Sequence, residues 1–105
     1  SAASDVYKRQ IYPEEVEEAI KRNDAVFDCL VVGVDDPKFG QKVVAVVSLE
    51  DKKEIDNEKL INATRSLIAG YKLPKQIIFV DEVQRAPNGK ANYKWAKNVA
   101  NENQI

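Results

Sequence analysis

Val16, Ala19 and Ile20 recur at spacings of three and four, with Glu14, Glu15, Glu17 and Glu18 among them and Lys21 and Arg22 just after. This spacing predicts an amphipathic helix. It starts near Pro13, whose missing N–H costs nothing in a first turn, and ends near Asn23 and Asp24. Acids early and bases late suit the helix dipole. The pattern then changes. Residues 26–34 are almost all apolar and largely β-branched, which predicts a strand buried over most of its surface. Residues 35–40 carry turn chemistry in Asp35, Pro37 and Gly40, and residues 43–49 form a second apolar run. So short a connection predicts an antiparallel pair. Beyond a charged stretch, Asp56 is placed to cap a helix over residues 57–69. Leu60, Ile61, Thr64, Leu67 and Ile68 form its buried stripe, and Gly70 is its left-handed terminator. Pro74 blocks continuation, Gln76–Val80 is a third strand, and a polar loop leads to a last helix over residues 92–102. Tyr93, Ala96, Val99 and Ala100 make the inner face of that helix, with Trp95 beside it.

The order is therefore α-β-β-α-β-α. It predicts an α+β fold in which a small, mainly antiparallel three-stranded sheet packs with three helices. The length of 105 residues is one domain. Residues 1–10 show neither helical nor strand period. A frayed terminus, a foreign remnant or a sequence error each fit them. The folded unit is expected over residues 11–105.

Composition narrows the chemistry. The chain has no histidine and one cysteine, which excludes imidazole-based triads, a Cys/His metal cluster and an internal disulfide framework. Sixteen basic against 17 acidic residues give a net charge of −1, which argues against nucleic acid as a partner. No apolar run approaches the ~20 residues of a membrane span. A cytoplasmic location is expected, with Cys29 a reduced thiol in the core.

The sharpest chemical feature is Arg85-Ala86-Pro87-Asn88-Gly89-Lys90. Pro87 pre-sets a turn, and Asn88 and Gly89 can take positions of positive φ. Lys90 is thereby presented at a loop tip before a helix, as a point charge suited to an anionic group. On spacing alone, an ordinary solvated lysine explains the same residues better. The loop is not a P-loop: Gln84 stands where the first glycine belongs, and Ala91 follows Lys90 in place of Ser or Thr.

Several segments match one family in order. Ile11-Tyr12-Pro13-Glu14-Glu15-Val16-Glu17, Val32-Gly33-Val34-Asp35-Asp36 with Phe39-Gly40-Gln41, Tyr71-Lys72-Leu73-Pro74, and Phe79-Val80-Asp81-Glu82-Val83 leading to Arg85–Lys90 resemble motifs of the adenylate-forming superfamily. That superfamily comprises acyl-CoA synthetases, peptide-synthetase adenylation domains and luciferases. The resemblance is to its small C-terminal domain, over residues 11 to about 100, and is nearest to fatty-acyl-CoA ligases. It implies that Lys90 is the catalytic lysine of acyl-adenylate formation and that Gly89 serves backbone geometry. ATP and Mg2+ would be held mainly by a large N-terminal domain outside this sequence, with coenzyme A as co-substrate. The acid would be a carboxylic acid, with fatty acids among the candidates. The small domain would rotate between half-reactions, and alone it would be inactive. No cofactor-binding residue and no metal ligand follows from the motifs. The glycine of the family's loop before the Ile-x-Pro segment would fall at Lys8 and its hinge Asp or Lys near Ala2, so no hinge or thiol-channel role attaches to residues 1–10.

A free-standing, non-catalytic α+β interaction module is the alternative, and a small nucleotide-binding regulator is a weaker third. Other features read plainly: Glu14 to Glu18 as a solvated helix face, Asp35-Asp36 as a turn starter rather than a metal pair, and Tyr93 and Trp95 as anchors of the last helix, with Trp95 also able to touch the large domain.

Overall fold

The computed structural model describes residues 13–37 and 40–103. The expectations for residues 1–10 and for Ile11, Tyr12, Lys38 and Phe39 lie outside them. The elements run α1 (Pro13–Lys21), β1 (Val26–Asp36), β2 (Gly40–Leu49), α2 (Asn57–Arg65), a 3-10 turn (Gly70–Lys72), β3 (Gln76–Val80) and α3 (Tyr93–Glu102). This is the α+β order read from the sequence.

The sheet has the order β1-β2-β3. β1 and β2 pair antiparallel from Val26↔Leu49 to Asp36↔Gly40, so both strands run further into the turn than their apolar cores. β2 and β3 pair parallel, from Val44↔Gln76 to Ser48↔Val80. The long connection through α2 explains the parallel edge, because such a crossover returns the chain to the same end of the sheet.

Both faces of the sheet are covered. Val16 and Ile20 of α1 and Leu60 of α2 pack with Val26, Cys29, Val31, Val43, Ala45, Val47 and Ile77 on one face. Ala96 and Ala100 of α3 pack with Leu30, Val32, Val34, Val44, Val46, Ile78 and Val83 on the other. Two covered faces account for strands that are apolar at nearly every position. Val26 and Cys29 share a face despite their odd spacing, because the register shifts between Val26 and Asp28. The extra residue of that bulge is Phe27, which is 64% exposed.

Three local expectations change. α2 stops at Arg65 instead of reaching Ala69, so Leu67 falls beyond the helix and is 43% exposed, while Ile68 still packs on the core. Gly70 does not terminate it: it opens the 3-10 turn and is not among the glycines of positive φ. The turn is tied instead by Lys72, whose Nζ donates to both carboxylate oxygens of Glu15 on α1 at 3.0 and 2.9 Å.

Candidate functional site

Residues 85–91 form a small hairpin of their own. Arg85 and Ala91 make an antiparallel bridge, the Ala86 N–H donates to the Lys90 carbonyl at 3.0 Å, and the Gly89 N–H donates to the Ala86 carbonyl at 2.8 Å. Pro87 and Asn88 are the central turn residues. Gly89 follows them at φ +83°, a conformation other residues adopt only at a cost. Asn88, expected to share the positive φ, does not. It contributes a side-chain oxygen that accepts the Lys90 N–H at 3.1 Å.

Lys90 itself is exposed at the end of this hairpin. Among the described residues its ammonium has no hydrogen-bond or ion-pair partner. It also lines neither of two grooves that flank Phe79. One, of about 610 Å³, is walled by Leu49, Glu54, Ile55, Asp56, Lys59 and Phe79. The other, of about 310 Å³, lies against Leu49, Val80 and Asp81. The lysine projects from the surface and does not sit in either cleft.

The hairpin is fastened at both ends. At its start, the Arg85 guanidinium grips Asp28 on β1, Nε to Oδ2 and Nη2 to Oδ1, both at 2.8 Å. Its Nη1 also donates to the Gly89 carbonyl at 3.3 Å. The Arg85 bonds hold the Asp28 carboxyl below its ordinary value. At its end, the Asn92 side chain caps α3 by accepting the Trp95 N–H at 3.1 Å. At the first residue of α3, the Tyr93 hydroxyl donates to Glu17 at 2.9 Å.

Glu17 corrects the reading of its cluster as a solvated face. It is buried, at 6% exposure, and the same carboxylate oxygen accepts the Val31 N–H of β1 at 2.9 Å. Burial is the main reason its carboxyl lies above its ordinary value; burial first, and the Glu17 hydrogen bond after it, push the Tyr93 hydroxyl up. Glu17, Asp28 and Arg85 were not singled out from the sequence as supports of the loop. A helical position next to Val16 and Ile20 on the inner face was the available signal for Glu17. The Asp28–Arg85 pair is separated by 57 positions and had no local signal. Cys29 is fully buried, and burial raises its thiol well above the usual range, as expected of a core residue. Trp95 packs partly buried against the α3 side of the core. Among the described residues no three acidic or cysteine side chains are grouped to hold a metal ion, and no helix is long and apolar enough to cross a membrane.

Residues 15–90, ending on the exposed lysine, match the family described as the AMP-binding enzyme C-terminal domain. The chain belongs to this family. An AMP-binding C-terminal domain is found within much longer relatives. The chain is 53% identical over 88 residues to 3-oxocholest-4-en-26-oate–CoA ligase of Rhodococcus rhodochrous, a match that takes in 84% of this chain and 16% of that protein. It is 52% identical, with the same coverage, to the medium/long-chain-fatty-acid–CoA/3-oxocholest-4-en-26-oate–CoA ligase of Mycobacterium tuberculosis. Among solved structures, the fatty acyl CoA synthetase of Mycobacterium tuberculosis superposes with a TM-score of 0.77 at 29% identity, covering 85% of this chain and 18% of that one. The chain thus spans about a sixth of the length of the curated relatives it matches.

Proposed function

We propose that this domain delivers Lys90 to a reaction centre built by a preceding, larger domain of the same protein, and that the whole is an AMP-forming acid–thiol ligase. Residues 11–105 are the small domain in this reading. A carboxylate oxygen of the acid attacks the α-phosphorus of ATP, pyrophosphate leaves, and an acyl-adenylate forms. Both reactants are anions, so a cation placed between them lowers the barrier by offsetting charge as it develops. Lys90 is that cation. The coenzyme A sulfur then attacks the acyl carbonyl and AMP leaves. For this second step the small domain rotates and withdraws the lysine, a hinge motion between two populated states. Magnesium accompanies the nucleotide and is held by residues beyond this domain.

The observation that carries the reading is the setting of Lys90: exposed, unpaired among the described residues, outside both grooves, yet mounted on a hairpin fixed at both ends. Among the described residues, a cation so placed has no partner to act on. The relatives act on medium- and long-chain fatty acids and a steroid side-chain acid, and acids of that class are the proposed substrates.

The test is to incubate the intact protein with ATP, Mg2+, coenzyme A and a panel of such acids. Acid-dependent release of pyrophosphate, with AMP and the CoA thioester as products, is expected, while residues 11–105 alone give none. Absence of acid-dependent pyrophosphate release across the panel would overturn the reading.

A further inference from the structure

We propose that Arg85 and Asp28 are positioning residues for Lys90, their two-bond ion pair fixing the direction in which the hairpin 85–91 offers the lysine. The proposal rests on the catalytic reading of Lys90 and adds the device that makes it effective.

A two-stranded hairpin is at best marginal by itself in water, so this one needs an external hold. Arg85 supplies it with three bonds from one side chain: two to Asp28 and one to the carbonyl of Gly89, the residue before Lys90. A planar fork meeting a carboxylate at two points sets orientation as well as distance. The carboxylate is itself fixed, since Asp28 Oδ1 accepts the N–H of Cys29, a residue of the fully buried core. Support therefore passes from β1 to Asp28, to Arg85, to the Gly89 carbonyl and so to Lys90. The bulge between Val26 and Asp28 resets the alternation so that Asp28 falls on the same side of the strand as Leu30, towards the α3 layer.

Magnitude favours positioning over plain stability. Both side chains of the pair are partly exposed, at 31% and 16%, and ion pairs open to solvent contribute little to folding. Orientation is different: a displacement of about 1 Å in a catalytic group can cost on the order of 10²-fold in rate.

The experiment uses the intact protein carrying Arg85→Ala, Arg85→Lys or Asp28→Asn, with Lys90→Ala as control. Four quantities are read: adenylate formation by pyrophosphate exchange, thioester formation from a preformed acyl-adenylate, the thermal midpoint, and hydrogen exchange in residues 85–91. The expected result for Arg85→Ala is a fall in kcat for adenylate formation of about tenfold, within the range that misplacement produces. Thioester formation and the thermal midpoint stay close to the parent, and exchange in the hairpin accelerates. Arg85→Lys keeps the charge without the fork and falls between. Two results overturn the proposal: adenylate formation unchanged in Arg85→Ala while Lys90→Ala loses it, or a parallel fall of both half-reactions and the midpoint. If Lys90→Ala itself leaves adenylate formation intact, the underlying catalytic reading is overturned as well, and that control tells the two failures apart.

Discussion

Glu17 joins three elements through one oxygen, which accepts from Val31 on β1 and from Tyr93 on α3 while its backbone lies in α1. Burial outweighs these bonds and lifts its pKa above the ordinary 4.5. Between the ordinary and the raised value the folded chain binds more protons than the unfolded chain. Stability from this group is therefore present at low pH and is lost as pH rises through the window. Glu17→Gln keeps an acceptor for both donors and removes the charge. Urea denaturation of the variant should show a flatter pH dependence above 4.5 than the parent; identical slopes would refute the assignment. Asp28 works with the opposite sign, since its pKa is lowered from 3.8 chiefly by its hydrogen bonds with Arg85. Its contribution is present above 3.8 and lost as pH falls through the lowered value. Ser48 is a simpler case. Its hydroxyl is buried and has no hydrogen-bond partner among the described residues. An unpaired buried hydroxyl costs about 1–3 kcal/mol, so Ser48→Ala should leave stability unchanged or raise it on denaturation, and a clear loss would reveal a partner.

The helices on the α1 and α2 side of the sheet contribute unequally along their length. Ile20 is fully buried in the cluster that includes Leu60 and Val31, whereas Leu67 lies past the end of α2. Ile20→Ala should cost about 2–5 kcal/mol of unfolding free energy, and Leu67→Ala no more than about 0.5 kcal/mol. Comparable losses at both positions would contradict the packing. This pair also marks how far the pattern of apolar positions could be read. Residues 57–69 carry an unbroken helical period, but Leu67 is given up where the chain turns towards the 3-10 segment and β3. Periodicity reports which positions could share a face, and the start of the next element decides which of them do. The parallel edge between β2 and β3 was similarly hidden, because a short run such as Gln76–Val80 carries no direction. The β1–β2 pair was legible because its connection is too short for anything but an antiparallel return. Around Lys90, the turn chemistry of Pro87 and Gly89 was visible as a local signal. The Asp28–Arg85 and Glu17–Tyr93 supports were not, since each joins residues brought together only by the packed sheet.

The molecule as a whole is a three-layer frame with one catalytic candidate at its surface. Among the described residues, its two sheet faces are covered by α1 and α2 on one side and by α3 on the other. What the frame provides is a fixed base from which Lys90 projects, and such a device gains meaning only against a second body. That agrees with relatives of which this domain is about a sixth. The most direct measurement of the central claim separates the two half-reactions of the intact protein in Lys90→Ala. The account predicts that acid-dependent ATP–pyrophosphate exchange falls by about 10²-fold or more, as when one electrostatic donor to a developing anion is removed, while thioester formation from a supplied acyl-adenylate persists. Equal loss in both half-reactions, or no loss in the first, would contradict it.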